Sequence, residues 1–197
     1  NAAYREGLAG LVANNLAARE AAFRRSLSLD PKRADAMLGL AEIAFRRQQL
    51  DEAKKLIIKA VDAEPRNANA HASLGRVHAL DRAYDKAEQS LKQAIALDIT
   101  LVRPRRDLAD LYATALRKPA DAVRLYQEVL AIAPEHAGAH YAQGVILAGM
   151  TDRVDEARSL LEKAAVLEPR NPLPALALAR LSAGAGDMAG AQQWLAK

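Results

Sequence analysis

Cysteine is absent from all 197 residues, which excludes disulfides and thiolate-held metals and leaves no mark of redox compartment. Aromatic side chains are scarce, with two Phe, five Tyr and one Trp. A core short of rings must be built from smaller groups, and alanine supplies much of the apolar half of the chain. Alanine fills little space, so elements packed through it must bring their backbones close together, which suits helix against helix. No apolar run approaches the roughly 18 residues of a membrane span, and no basic-then-apolar leader is visible. The chain opens at Asn1 without methionine and is expected to be a piece of something longer. Charge of one sign is also missing: 28 Lys and Arg face 24 Asp and Glu, a formal net of +4. The two signs are interleaved, as on solvated helix faces.

Catalytic signatures are missing as well. No Gly-rich phosphate loop, HExxH or nucleophile elbow occurs. The glycines of LSAGAGDMAG (181–190) read as a turn between two helices. Carboxylates are plentiful, but they lie on solvated faces where nothing would raise a pKa. The chain is therefore expected to be no enzyme and to carry no cofactor.

What is present is repetition. The tetrapeptide Glu64-Pro65-Arg66-Asn67 returns at Glu168-Pro169-Arg170-Asn171, each time between an apolar helical run and an alanine-rich one. Pro31, Pro65, Pro134 and Pro169 keep a regular beat with Ile99 filling the gap, in steps of 34, 34, 35 and 35. Small residues at Gly7, Ala41, Gly75, Ala109, Gly144 and Ala179 follow it. So do Ala53, Ala87, Ala122, Ala157 and Ala191, with Ile57, Leu91, Tyr126, Leu161 and Leu195 four places later and Phe23 ahead of them. A fixed period of this length marks a stacked array.

Within each period the pattern is helical. Leu50, Ala53, Ile57, Ala60 and Val61 recur at spacings of three and four and form one stripe. Met37, Leu40, Ala41 and Ala44 form another. Short polar links such as Arg47-Gln48-Gln49 and Gly184-Ala185-Gly186 separate the two helices, and proline ends the second. One helical hairpin cannot bury its own apolar face, so neighbours must stack.

The pattern in LGLAEIAF…LDEAKKLIIKAVDAEP and SLGRVHAL…YDKAEQSLKQAIALD resembles the tetratricopeptide repeat family. That family places a small residue in the first helix, alanine early in the second, a bulky residue four later and a closing proline. The resemblance covers the whole chain, as units near 1–33, 34–67, 68–101, 102–136, 137–171 and 172–197. It implies an all-α solenoid of about six stacked hairpins in a right-handed superhelix. Departures carry their own expectations. Arg19 replaces an alanine and Glu6 a leucine, so the first hairpin should pack loosely. With Ile99 in place of proline, the helix before it should run on. One extra residue each is placed in the turns ALRKPAD and AGMTDRVD.

The resemblance further implies a concave groove lined by the first helices. Its positions here are Leu38, Glu42, Phe45, Asn69, Ser73, Arg76, Arg103, Arg106, Asp110, Tyr141, Val145, Leu176 and Arg180. The surface runs from mixed through basic to apolar, which suits an extended or helical peptide with an acidic centre and an apolar flank. Some members hold a terminal carboxylate with a lysine and asparagine clamp, but Leu38, Ala72 and Tyr141 stand at the corresponding places. In Val102-Arg103-Pro104-Arg105-Arg106, three arginines at a helix start oppose the helix dipole. Either Arg103 and Arg106, with Arg76 nearby, grip a carboxylate or phosphate, or Arg103–Asp107 and Arg106–Asp110 form ordinary i,i+4 pairs, the preferred reading. His136 and His140 have the spacing of two metal ligands, but no third ligand is in register. His71 and His140 share a repeat position, so packing is expected and no metal. Trp194 and Leu195 are expected to form an exposed apolar end that self-associates.

The expected function is a protein-interaction scaffold with a peptide or protein partner. The alternative is an adaptor within a larger enzyme or a bacterial export or secretion machine. RNA binding, by analogy with pentatricopeptide arrays, is opposed by Glu42, Asp107 and Asp110. No membrane span and no nucleic-acid partner are expected. The compartment, cytoplasm or bacterial periplasm, leaves no trace in the residues.

Overall fold

The computed structural model describes residues 16–196, which hold eleven helices and no strand. In chain order they are α1 (Leu16–Leu29), α2 (Ala34–Arg46), α3 (Leu50–Ala63), α4 (Ala68–Leu80) and α5 (Tyr84–Leu97). Then follow α6 (Val102–Thr114), α7 (Pro119–Ile132), α8 (Ala137–Ala148), α9 (Val154–Leu167), α10 (Pro172–Gly184) and α11 (Met188–Leu195). Consecutive helices pair as hairpins: α2 with α3, α4 with α5, α6 with α7, α8 with α9 and α10 with α11. The chain divides into two compact units, residues 1–104 and 105–197.

The repeat series are the packing surfaces. Ala53 and Ala60 on α3, Ala87 and Ala94 on α5, and Ala157 and Ala164 on α9 are all fully buried. Each second helix thus shows its neighbours a flat strip with a bulky residue between the alanines: Ile57, Leu91 and Leu161 are buried as deeply. Burying one such side chain stabilises by about 1.5–3 kcal/mol. In the amino-terminal unit Ala41, Ala44, Ala53, Ile57 and Val77 form one cluster drawn from α2, α3 and α4. In the carboxyl-terminal unit Val123, Leu147 and Ala157 do the same for α7, α8 and α9. The small positions act as notches. A Cβ on Gly75 would lie 2.7 Å from Leu91 Cγ and 3.2 Å from the Leu91 backbone nitrogen. A Cβ on Gly144 would lie 2.8 Å from Leu161 Cγ.

The repeated Glu-Pro-Arg-Asn turns out to be a capping device. Asn67 begins α4 and its side-chain oxygen accepts from the Ala70 amide at 3.0 Å. Its amide group donates to Glu64 at 2.9 Å and to Asp35 at 3.3 Å. Glu64 also accepts from the Ala34 amide at 2.9 Å, supplying the α2 N-terminus with the cap that Arg33 does not provide. In the second copy Asn171 caps Leu173 at 3.1 Å and bonds Glu168 at 3.0 Å. The tetrapeptide ends one helix, starts the next and, in the first copy, ties both to the start of α2.

One expectation is corrected. The helix before Ile99 does not run on. α5 stops at Leu97, and the Asp98 carboxylate accepts from the Thr100 amide at 2.9 Å and from its hydroxyl at 2.7 Å. This aspartate turn halts the helix without proline. Of the first hairpin only the second helix lies among the described residues, and α1 buries Arg19, Ala22, Phe23 and Ser26. Glu6 lies outside the described residues. The extra residues do sit in the turns, where 115–118 and 149–153 replace three-residue links such as 47–49. Gln48, Arg82, Arg117 and Gly186 recur inside these turns at positive φ of 61°, 59°, 52° and 82°, reversing the chain in the same left-handed step.

Candidate partner-binding clefts

In the amino-terminal unit, α2 and α4 present parallel rows of side chains one and two turns apart. Leu38, Glu42 and Phe45 project from α2, and Asn69, Ser73 and Arg76 from α4. Together with Arg103 they line a cleft of about 360 Å³. Seven expected groove positions are therefore gathered in one place. Reading the repeats alone missed Arg19, Asp35 and Pro104, which line the same cleft. The lining is chemically mixed. Arg46 holds Glu42 at 3.3 Å, while Leu38 and Phe45 stay half-buried against the α2–α4 core.

The carboxyl-terminal unit carries a larger cleft of about 560 Å³ between α8 and α10. Tyr141, Val145, Leu176 and Arg180 line it as expected, joined by Leu173, Ala177, Leu181 and Val154. The missed α10 residues continue the stripe of Leu176 and Arg180 at helical spacing, so extending that stripe by one turn each way would have found them. Val145, Leu173 and Leu176 are 43, 48 and 41 % exposed around this single cleft. Arg180 is the charged residue among those lining it. Apolar contact with one cationic rim group suits an apolar peptide side chain beside an acid.

Arg106 and Asp110 line neither cleft. The Arg106 guanidinium bonds Asp107 at 2.7 Å and lies 3.9 Å from Asp110, and the Tyr126 hydroxyl donates to Asp110. Burial alone would depress Arg106, but the bond and charge of Asp107 and then Asp110 outweigh it and hold its pKa above the ordinary value. Burial, then the hydrogen bond to Asp110, pushes the Tyr126 phenol well above its usual range. Arg105, 7 % exposed, pairs with Glu128 at 3.2 Å. Two of the three arginines opposing the α6 dipole are thus held by acids of their own unit.

The histidines serve the backbone. His71 and His140 each place Nε2 on the carbonyl of the proline six residues earlier, at 2.9 Å from Pro65 and 2.8 Å from Pro134. His136 accepts the Ala139 amide at 3.1 Å and caps α8. No cluster of three metal-ligating side chains occurs among the described residues. At the far end, Leu195 is exposed as expected, but Trp194 is half-buried. Both line a recess of about 550 Å³ with Pro169, Pro172, Ala175 and Leu176. Trp194 is thus the more covered of the two and Leu195 the exposed apolar group.

Two models of the tetratricopeptide repeat match the chain, over residues 13–77 and 107–172. Cellulose synthase 2 operon protein C of Komagataeibacter xylinus is 31% identical over 228 aligned positions, taking in 89% of this chain and 17% of that protein. Protein O-mannosyl-transferase TMTC3 of Homo sapiens is 27% identical over 152 residues, 76% of this chain and 16% of its own. The chain spans less than a fifth of either relative. Among solved structures, Pseudomonas aeruginosa PilF has a TM-score of 0.86 at 22% identity, over 98% of this chain and 87% of that one. YrrB, described as having an unusual peptide-binding site, has a TM-score of 0.62 at 24% identity, over 85% and 86%. These structural likenesses are of fold.

Proposed function

Because the chain belongs to the tetratricopeptide repeat family, we propose that it is a non-catalytic scaffold whose first-helix faces hold a peptide or protein partner. One observation carries this reading. Eleven of the thirteen expected groove positions fall in just two clefts, seven in one and four in the other. Their linings offer what an extended peptide needs, namely apolar contact beside a few charged groups of fixed position. A peptide-binding site in YrrB, a protein of the same fold, supports it. The test is capture of the partner from the source organism by the immobilised chain. Arg76, Tyr141 and Leu176 are each replaced by alanine, with Glu162→Ala, whose exposed position lies in neither cleft, as control. We expect loss of the partner with at least one cleft variant and none with the control; equal capture by all four refutes groove binding.

A second reading places this segment as the adaptor part of a larger machine whose activity lies elsewhere. The relation to a cellulose synthase operon protein, of which the chain spans 17%, favours it. Immunoblotting the source organism for a product much larger than 21.2 kDa tests it. Asp35 and Glu42 in the amino-terminal cleft count against a nucleic-acid backbone as the occupant.

A further inference from the structure

The bulky residue four places after each second-helix alanine is a core group in the earlier hairpins. Ile57, Leu91, Tyr126 and Leu161 are all 1 % exposed or less. Leu195 holds the same register on α11 and is 63 % exposed. It borders the recess of about 550 Å³ whose other walls include Pro169, Pro172, Ala175 and Leu176. A projecting apolar side chain and an apolar hollow therefore share one surface. α11 differs from the other second helices in charge as well. Met188–Leu195 contains no charged residue, whereas α1, α3, α5, α7 and α9 each carry at least three. The exposed residues of α11 are Met188, Ala189, Gln192, Gln193 and Leu195, all apolar or neutral amides.

We propose that the occupant of this surface is a second copy of the chain, related by a two-fold axis, with Leu195 of each copy seated in the recess of the other. Three features select a second copy over a different partner. A knob and a hollow on one surface are what a two-fold contact requires, because each copy gives and receives the same group. An uncharged face meets itself without like-charge repulsion and offers nothing to a charged partner. Gln192 and Gln193 end in amides that both donate and accept, so they pair with their own kind. Arg170, the charged residue of the recess lining, is exposed to water, where salt screens it. The contact is small. A helix of eight residues is about 12 Å long, so two of them bury less than the roughly 1,200 Å² of a standard interface. A dissociation constant on the order of 10 µM or weaker follows. Leu176 lines both this recess and the α8–α10 cleft, so the contact borders that cleft. A dimer carries two such clefts and holds a partner with two binding segments by avidity.

Sedimentation equilibrium of the whole chain tests the contact. Wild type should pass from monomer to dimer with concentration and stop there. Leu195→Ala removes the knob and should weaken dimerisation about a hundredfold, roughly tenfold for each of the two copies. Ala175→Trp fills the hollow and should weaken it as much. Together the two substitutions should restore dimers, because a filled hollow then meets a shortened knob. Circular dichroism melts check that each variant folds. If Ala175→Trp does not fold, the exposed Leu195→Ala variant and cross-linking decide. The chain has no cysteine, so a single introduced one reports proximity. Gln192→Cys should give a disulfide-linked dimer on mild oxidation, and the exposed Glu162→Cys should not. Wild type that stays monomeric overturns the proposal, as do dimers that Leu195→Ala leaves intact. So do a folded double variant without recovery, equal cross-linking at both cysteines, or an open series of larger oligomers.

Discussion

The notch between Gly75 and Leu91 permits a quantitative test of how these hairpins pack. Helix propensity alone says that Gly75→Ala, in the middle of α4, should stabilise by about 1 kcal/mol. The structure says otherwise. The new methyl would lie 2.7 Å from Leu91 Cγ, 3.0 Å from Cδ2 and 3.2 Å from the Leu91 amide nitrogen. The γ-carbon is no flexible tip, and the backbone atom cannot withdraw without moving α5. Overpacking of this kind costs about 1–3 kcal/mol. The net expectation is a loss of about 0–2 kcal/mol, opposite in sign to the propensity effect.

The chain also contains its own remedy. At the equivalent place in the preceding hairpin, Ala41 is buried against Ile57, so an alanine notch is tolerated when the opposing side chain branches at Cβ. Ala109 stands in the same register opposite Tyr126, whereas Gly144 again faces a leucine, Leu161. Leu91→Ile should therefore be mildly destabilising alone, by less than about 1.5 kcal/mol. Combined with Gly75→Ala it should recover stability through a favourable coupling of about 1 kcal/mol or more. Urea unfolding of the four proteins, followed by circular dichroism, measures the cycle. A full gain of about 1 kcal/mol from Gly75→Ala alone, with effects that add within about 0.5 kcal/mol, refutes the steric argument.

Loss of the cap in Asn67→Ala should cost about 1 kcal/mol, and Asn171→Ala less, because Asn67 also donates to Asp35 in the helix before; thermal unfolding ranks the two. Burial, and then Lys86, lowers the His78 pKa below 6.5 despite Asp81, so the unfolded chain binds more protons below that pH. Stability should decline on acidification from pH 6.5, and His78→Phe should flatten that decline in urea titrations at several pH values. Leu195, exposed beside the Trp194 recess, should drive concentration-dependent dimers in sedimentation runs, and Leu195→Lys should leave monomers. Val145→Glu, at a 43 % exposed position, should change stability by no more than about 0.5 kcal/mol yet abolish binding of any apolar peptide in the α8–α10 cleft.

Hairpin boundaries, notches and the helix faces that line the clefts were legible because helix periodicity and the 34-residue beat are imposed by packing, and packing writes itself on residue size. Features that depend on side-chain direction or on polar partners were not. Ile99 reads as a missing stop only if proline is the stop. What ends α5 is the Asp98 carboxylate, whose partners lie two residues ahead and leave no periodic trace. The Glu64–Ala34 bond spans 30 residues and joins positions that look unrelated in one dimension. Trp194 and Leu195 are adjacent, so periodicity could place both at an end but could not say which would be the more covered. Arg19 was visible as an anomaly, but its burial was not, because a long guanidinium stem can lie along apolar surface.

The residue following each notch shows how one array can keep its fold and vary its partner. Ala41, Gly75, Ala109, Gly144 and Ala179 are all small and buried, because backbones of facing helices meet there. Their immediate successors are Glu42, Arg76, Asp110, Val145 and Arg180: acid, base, acid, aliphatic, base. None of these successors is buried. One step along a helix turns the side chain by about 100°, which carries it from the packed face to the open one. Packing therefore constrains the notch severely and its neighbour hardly at all, so the chemistry of the neighbour is left to be set by whatever it must contact. A chain can share this fold at 22% identity, as PilF does. On the proposed scaffold reading, partner choice rests with the residues beside the notches and not with the notches themselves.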